Sequence, residues 1–295
     1  MALQTEPLRV DAHQHFWRYS REEFDWISDE MASIRRDFLP GDLLPLLDQA
    51  EIDVSIAVQT RQSLEETNWL LDLAEEDEWI AGVVGWAPLT DPHVENTLES
   101  LAENSKLKGL RLILQAEPDA YMDRADFNSG LALLHKYSFV YDLLIHEHQL
   151  PTAIRLVDRH TSQRIVLDHL AKPLIASGQL EPWRTRIREL ARRPHVSCKL
   201  SGMVTEANFD SRTTDDLRPY VEVALEAFGP SRILFGSDWP VCTVAASYGH
   251  WTSVGRDFIA HLSADEQNAI LGGNAINIYN LAKSNSFISS VEVPA

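Results

Sequence analysis

The stretch VDAHQHFW, residues 10–17, ends a short apolar run with two histidines that lie two positions apart. Side chains two apart in an extended strand lie on one face, so we expect His13 and His15 to point the same way and Gln14 to point the other way. In a parallel α/β barrel the active site lies at the carboxyl ends of the strands. Whether this run is the first of a series therefore decides the fold and the place to look for function.

Seven more runs of this kind follow along the chain. Most are continuously apolar rather than alternating, which is typical of strands that are buried on both faces. They read IDVSIAVQT, IAGVVGWAPL, KGLRLILQ, FVYDLLIHE, QRIVLDHL, HVSCKLSG and RILFGSDWP.

Helical patterns lie between these runs. In residues 63–77 the apolar stripe consists of Leu64, Thr67, Leu71 and Ala74. In residues 216–229 it consists of Leu217, Val221, Ala224, Leu225 and Phe228, and Gly229 is suited to end that helix. Eight alternating strand and helix units predict an α/β fold, a (β/α)8 TIM barrel with a parallel eight-stranded barrel.

One alternative fold and the domain boundaries follow from the same pattern. A doubly wound open sheet is less favoured, because no Gly-rich phosphate loop follows the first strand. No linker divides the chain, so we expect a single domain over 1–295, with the barrel core at about 8–281. The long segment 16–40 is expected to form a loop or lid over the end of strand one.

The composition excludes several classes of partner. The chain has 295 residues and a formal net charge of −18, and such an acidic surface repels nucleic acid and anionic membranes. No apolar run is long enough to cross a membrane, and the start of the chain does not resemble a signal peptide, so a cytoplasmic protein is expected. Cys198 and Cys242 lie in or just after apolar runs and are expected to be core residues, with a disulfide or a nucleophile as minor alternatives.

Polar residues that can take part in catalysis or binding are concentrated where the predicted strands end. Each one taken alone can be a hydrogen-bonded core residue, a helix cap or half of a structural ion pair. Burying many unpaired ionisable groups is costly, so the set as a whole indicates a functional pocket. Its members are His13, His15, Gln59, Arg111, His146, Glu147, His148, Asp168, His169, Lys199, Ser201, Glu206, Asp238 and Trp239.

The combination of DAHQHFW, VLDHLAKP, CKLSGMVTEA, LFGSDWPVC and LGGNAINIYNL is distinctive. It resembles the amidohydrolase superfamily, and within it the amidohydrolase-2 branch of TIM-barrel hydrolases. The likeness is strongest to the sugar-lactone hydrolases of that branch, the L-fuconolactonases and L-rhamnonolactonases. It covers nearly the whole chain, from Val10 to about Leu281.

The resemblance implies roles for individual residues. His13 and His15 match the strand-one pair that holds a divalent metal or polarises a carbonyl directly, and His169 matches the strand-six histidine. Asp238 matches the strand-eight aspartate that accepts a proton from water. The glutamate proposed as a metal ligand after strand seven corresponds to Glu206.

The metal requirement stays open at this stage. Binuclear members need a lysine at the tip of strand four, and the run LRLILQ has none there, so a binuclear site is not expected. The resemblance allows catalysis without any metal, and we expect no strict requirement. If one zinc or manganese ion binds, the implied ligands are His13, His15, Glu206 and Asp238, with His146 as another candidate. No nucleotide or flavin is expected.

The expected activity is hydrolysis of a sugar-acid lactone, an ester reaction of carbohydrate catabolism, by a monomer or a homodimer. Arg111, Lys199, Gln59 and His146 are suited to bind sugar hydroxyls or a carboxylate, and Trp239 and Trp17 offer flat faces for a sugar ring. A metal-dependent decarboxylase of an unsaturated carboxylic acid from the same branch is the main alternative. A non-enzymatic sugar-binding barrel is less favoured, because nearly every strand end carries a polar residue.

Overall fold

The computed structural model of the protein describes residues 7–207 and 214–282. Eight strands alternate with helices along this chain. The strands are β1 Val10–Gln14, β2 Val54–Val58, β3 Ile80–Gly85, β4 Leu107–Leu112, β5 Val140–Leu143, β6 Ile165–Leu167, β7 Val196–Leu200 and β8 Ile233–Phe235. The helices are α1 Pro40–Gln49, α2 Leu64–Glu76, α3 Val94–Leu101, α4 Ala125–Leu133, α5 Leu150–Arg159, α6 Trp183–Ala191, α7 Thr214–Phe228, α8 Tyr248–Ile259, α9 Ala264–Asn268 and α10 Asn274–Ile278.

The strands form one parallel sheet in sequence order, and each strand pairs with the next. The segment after β8 closes the sheet onto β1, because Asp238 N–H donates to His13 O at 2.7 Å and His15 N–H donates to Trp239 O at 2.7 Å. The predicted (β/α)8 barrel is confirmed. The predicted domain of 1–295 extends beyond the described residues at both ends.

The hydrophobic core has two layers, one between the helices and the strands and one inside the barrel. The helix stripes face the outward surfaces of the strands, and α2 buries Thr67, Leu71 and Ala74 as predicted. The predicted residues Leu217, Val221, Ala224 and Phe228 of α7 are also buried. The remaining predicted stripe residues, Leu64 and Leu225, are half-buried. Inside the barrel, the lower layer is apolar and includes Val10, Val54, Val140, Val166, Leu234 and Tyr279. Polar side chains are therefore concentrated in the upper part of the barrel.

Residues 16–40 form a packed loop over the end of β1. Trp17 and Phe38 pair in an antiparallel bridge, and Trp17 Nε1 donates to Arg36 O at 2.8 Å. The ring of Phe38 also packs edge-on against Trp239, which follows β8. The loop therefore covers the junction of the first and last strands, and its predicted action as a lid stays a prediction. No helix in the described part of the chain is both long and apolar enough to cross a membrane.

Candidate active site

An irregularity in β1 turns its two histidines into the barrel. Asp11 pairs with Ser55, but Gln14 pairs with Ala57, so the register shifts between Asp11 and Gln14. Ala12 packs in the barrel interior, and a regular strand would then send His13 to the outside. After the irregularity both imidazoles point inward, and His13 Nε2 lies 3.2 Å from His15 Nε2. The predicted shared face is observed, although the strand is not regular.

Asp238 meets these imidazoles from beyond the end of β8. Its Oδ1 lies 3.3 Å from His15 Nε2, 3.8 Å from His13 Nε2 and 3.8 Å from His169 Nε2. The backbone of Asp238 is left-handed, with φ +59°, which costs roughly 1–2 kcal/mol for a residue with a side chain. Such strain is often retained where it positions a functional group. We call His13, His15, His169 and Asp238 the His–Asp centre.

His169 opens a left-handed turn directly after β6. The φ angles of the four residues 169–172 are 51°, 53°, 58° and 50°, and none of these residues is glycine. The turn is held by the Lys172 N–H bond to His169 O at 2.7 Å and by Trp183 Nε1, which donates to Leu170 O at 2.8 Å. His169 Nδ1 lies 2.9 Å from Ser201 Oγ of the next strand's end. These contacts fix the ring so that its Nε2 faces Asp238.

Gly202 leaves the space that the ring of His169 occupies. A Cβ at position 202 would lie 2.4 Å from His169 Nδ1, and the φ of +64° disfavours any side chain. We expect Gly202→Ala to lower the free energy of unfolding by about 1–2 kcal/mol from the backbone alone, and to lower activity by about 100-fold because His169 must move. Urea denaturation and kcat measure the two effects.

Gly249→Ala is the matched control for this substitution. Gly249 lies in the first turn of α8, and its added Cβ would meet no atom within 4 Å. Alanine is a better helix former than glycine, so this variant is expected to be as stable as the wild type or more so, with unchanged activity. Full activity in Gly202→Ala would contradict the argument that position 202 holds His169 in place.

The charges of the His–Asp centre are set by burial and by mutual contact. Burial alone would raise the pKa of Asp238, but the neighbouring imidazoles outweigh it and hold that pKa well below its ordinary value. Burial lowers the pKa of His169 to about 4, and burial with the nearby Lys199 charge lowers the pKa of His13 well below its ordinary value. Near neutral pH the centre therefore contains a carboxylate with neutral rings at His13 and His169.

A buried ion network lies beneath His13. The side chain of Lys199 is fully buried, and its Nζ lies 2.5 Å from Asp142 Oδ2, 3.1 Å from Asp168 Oδ1 and 3.1 Å from His13 Nδ1. Tyr279 donates to Asp142 Oδ1 at 2.7 Å. Burial raises the pKa of Asp142 to about 6. Burial alone would also raise the pKa of Asp168, but Lys199, His13 and Arg111 outweigh it and hold that pKa well below its ordinary value. The network therefore holds the His13 ring in place through the contact between Lys199 Nζ and His13 Nδ1.

The donor atoms of the His–Asp centre fit a cation. His15 Nδ1 lies 2.7 Å from Val58 O, and since only a donor satisfies a carbonyl, Nε2 of the neutral ring carries a lone pair. That lone pair faces Asp238 Oδ1 across 3.3 Å, and two acceptors at this distance need a proton or a metal ion between them. Tetrahedral zinc with bonds of about 2.0–2.1 Å places its ligand atoms roughly 3.3 Å apart.

The described residues contain two groups of three side chains whose potential ligand atoms lie, within each group, no more than 4.8 Å apart. The first is His13, His169 and Asp238, and the second is His13, Asp142 and Asp168. The Lys199 ammonium already lies against both carboxylates of the second group and occupies the position of a cation, so the first group is better suited to a metal ion. Glu206 belongs to neither group and faces Lys172 instead, with Nζ and Oε1 separated by 3.6 Å.

The other predicted site residues lie around this centre at different depths. Arg111 is buried, with Nη1 3.1 Å from Asp168 Oδ2 and 3.3 Å from His13 Nε2. Gln59 is buried and donates to Arg111 O at 3.1 Å. His146 is half-buried after β5. Both predicted sugar-stacking rings are almost fully enclosed, Trp17 among loop aromatics and Trp239 between Phe16 and Phe38.

Three polar groups that support the site were not predicted from the sequence. Asp142 is a lone charge inside the apolar run of β5, and that position was a signal that could have identified it. Asp11 accepts hydrogen bonds from Ser237 N at 2.8 Å and Tyr248 Oη at 3.1 Å, and burial raises its pKa to about 6. Tyr279 follows the last helix and carries no local signal of its role.

Comparisons with known proteins agree with this architecture. The amidohydrolase family profile matches residues 10–281. The chain is 45% identical to an L-fucono-1,5-lactonase of Burkholderia multivorans, over 93% of this chain and 96% of that protein. It is 36% identical to an L-fucono-1,5-lactonase of Burkholderia ambifaria, over 92% of this chain and 96% of that protein.

One solved structure that resembles this chain in fold also contains a bound metal ion. The crystal structure of an amidohydrolase from Burkholderia multivorans with bound zinc superposes with a TM-score of 0.89 at 45% identity, and it covers 93% of this chain and 100% of that one. The predicted resemblance is confirmed by the family match and by these relatives. The chain belongs to the amidohydrolase family.

Proposed function

We propose that the protein hydrolyses a sugar-acid lactone to the aldonic acid. The observation that carries this proposal is the convergence of three imidazoles on one carboxylate at the carboxyl end of the barrel. Relatives with 45% and 36% identity are L-fucono-1,5-lactonases, which supports a lactone of the L-fucono type as the substrate class. The reaction makes the protein a hydrolase of a carboxylic ester.

Hydrolysis of a lactone needs a polarised carbonyl, an activated water and a proton for the leaving oxygen. Asp238 is ionised and takes a proton from water, whose oxygen then attacks the carbonyl carbon. His13 and His169 stabilise the negative charge that develops on the carbonyl oxygen, whereas His15, whose Nε2 carries a lone pair, would contribute to this through a bound metal ion. The ring C–O bond breaks, and Asp238 returns the proton to the leaving alkoxide.

The same residues are proposed to hold a divalent metal ion. His13, His15 and Asp238 supply the nitrogen and oxygen donors, with His169 within reach. Glu206, the other ligand predicted from the sequence, faces Lys172 and belongs to neither group of clustered ligand atoms, so it is not proposed to hold the ion. Bound zinc or manganese would polarise the carbonyl as a Lewis acid.

The residues predicted to contact the substrate lie at different depths in the barrel. Gln59 Oε1 is buried without a hydrogen-bond partner among the described residues, which supports a role in accepting a bond from a substrate hydroxyl. His146 lies at the rim and can contribute a polar contact. For Arg111 and Lys199, direct substrate contact stays a prediction, and the same holds for stacking on Trp17 and Trp239.

A panel of L- and D-sugar lactones, followed by proton release, tests the proposal. We expect turnover of at least one L-fucono-like lactone, with kcat/KM of at least about 10⁴ M⁻¹s⁻¹ as for ordinary enzymes. The same assay on chelator-treated and zinc-supplemented protein separates the two uses of the histidines. Activity that survives chelation means that the imidazoles act directly, and activity restored by zinc means that they act as ligands.

Isothermal titration of zinc into the chelated protein adds a measurement that does not depend on turnover. Binding that is lost on replacing His15 by Asn supports the metal site. Absence of hydrolysis across the whole panel, with and without metal, would refute the lactonase proposal and direct attention to decarboxylation.

A further inference from the structure

Lys172 is brought to the His–Asp centre by the left-handed turn that begins at His169. The Lys172 N–H bond to His169 O closes a turn of four residues, 169–172, and side chains three apart in such a turn lie on the same side. Leu170 and Ala171, between them, are buried. The strained turn therefore places two functional side chains, His169 and Lys172, at one edge of the barrel.

Lys172 faces Glu206 without closing a hydrogen bond. Nζ and Oε1 are 3.6 Å apart, whereas a direct charged hydrogen bond measures about 2.7–2.9 Å. The side chains are 20% and 24% exposed, so both groups are accessible from the mouth of the barrel. A hydroxyl oxygen can lie within hydrogen-bond distance of both charges at once.

Electrostatic contacts link this pair to the reacting groups. Burial is the main cause that lowers the pKa of His169 and of His146, and the positive charge of Lys172 acts in the same direction on both. Burial raises the pKa of Glu206, Lys172 lowers it, and the negative charge of Asp238 raises it further. Lys172 and Glu206 therefore lie within electrostatic range of His169, His146 and Asp238.

We propose that Lys172 and Glu206 form a subsite for the hydroxyl group next to the reacting carbonyl of a sugar lactone. The proposal rests on the lactonase function proposed above. The ammonium donates a hydrogen bond to the hydroxyl oxygen, and the carboxylate accepts a hydrogen bond from the hydroxyl group. A cation alone would favour an anionic group, but a pair of opposite charges favours a neutral group that both donates and accepts.

Kinetics with a sugar lactone and its 2-deoxy counterpart test this subsite. We expect the wild type to prefer the hydroxylated lactone by about 10–100-fold in kcat/KM, the range for hydrogen bonds to charged groups. Lys172→Met and Glu206→Gln should each reduce that preference to about threefold or less. A purely structural role would lower kcat/KM for both lactones equally, and that result would overturn the proposal.

Two further measurements make the test specific. Lys136 and Glu95 form an ion pair at 2.6 Å on the outside of the barrel, so Lys136→Met should keep the wild-type preference. Zinc titration of Glu206→Gln should give the wild-type affinity, and lost zinc binding would assign Glu206 to the metal and overturn the proposal. A wild-type protein that hydrolyses no lactone would instead refute the proposed function, and the subsite with it.

Discussion

Replacement of Asp238 by Asn is expected to lower kcat for lactone hydrolysis by about 10²- to 10⁴-fold, the range of a lost general base. The amide has nearly the shape of the carboxylate, and asparagine tolerates the left-handed backbone that Asp238 adopts at φ +59°. The fold should therefore survive while proton transfer from water is lost. Steady-state proton release measures kcat, and circular dichroism verifies the fold.

Asp158→Asn serves as the control for this variant. Asp158 lies at the far end of α5, pairs with Arg193 at 2.9 Å, and is remote from the His–Asp centre. Its replacement should leave kcat unchanged. An Asp238→Asn protein that keeps activity within tenfold of the wild type would refute the role of Asp238 in the proposed mechanism.

Replacement of Lys199 by Met is expected to lower the free energy of unfolding by about 3–5 kcal/mol, the cost of breaking a buried ion pair from one side. Met has a similar length and fills the space, but the carboxylates of Asp142 and Asp168 then lose their shared ammonium in a fully buried position. Urea denaturation measures the loss. Activity should also fall, because His13 Nδ1 loses its contact with Lys199 Nζ.

A double variant distinguishes destabilisation by unbalanced buried charge from destabilisation by lost packing. Lys199→Met combined with Asp142→Asn removes one charge of each sign, and the amide oxygen can still accept the hydrogen bond from Tyr279. We expect the double variant to be less destabilised than the sum of the single variants, since the two residues are in direct contact. Lys136→Met, on the surface, should unfold like the wild type. A Lys199→Met protein within about 1 kcal/mol of the wild type would contradict the argument.

The strand pattern predicted the fold because buried parallel strands read as continuous apolar runs. The same logic placed His13, His15, His169 and Asp238 at strand ends, and the structure brings these four together. The prediction assumed regular strands to their ends, however. In the structure, β6 and β8 end at Leu167 and Phe235, before the functional residue in each case.

What the sequence determined by itself is the eight-unit barrel, the family and the residues of the His–Asp centre. These depend on local periodicity and on motifs that are contiguous in the chain. Only the tertiary structure decided which partners each charge has. Lys199 and Arg111, expected to contact substrate, lie in ion contacts with Asp168, and Glu206 faces Lys172 across a left-handed turn. Such pairings join residues from different strand–helix units, and the desolvation that makes them necessary arises only when the barrel closes.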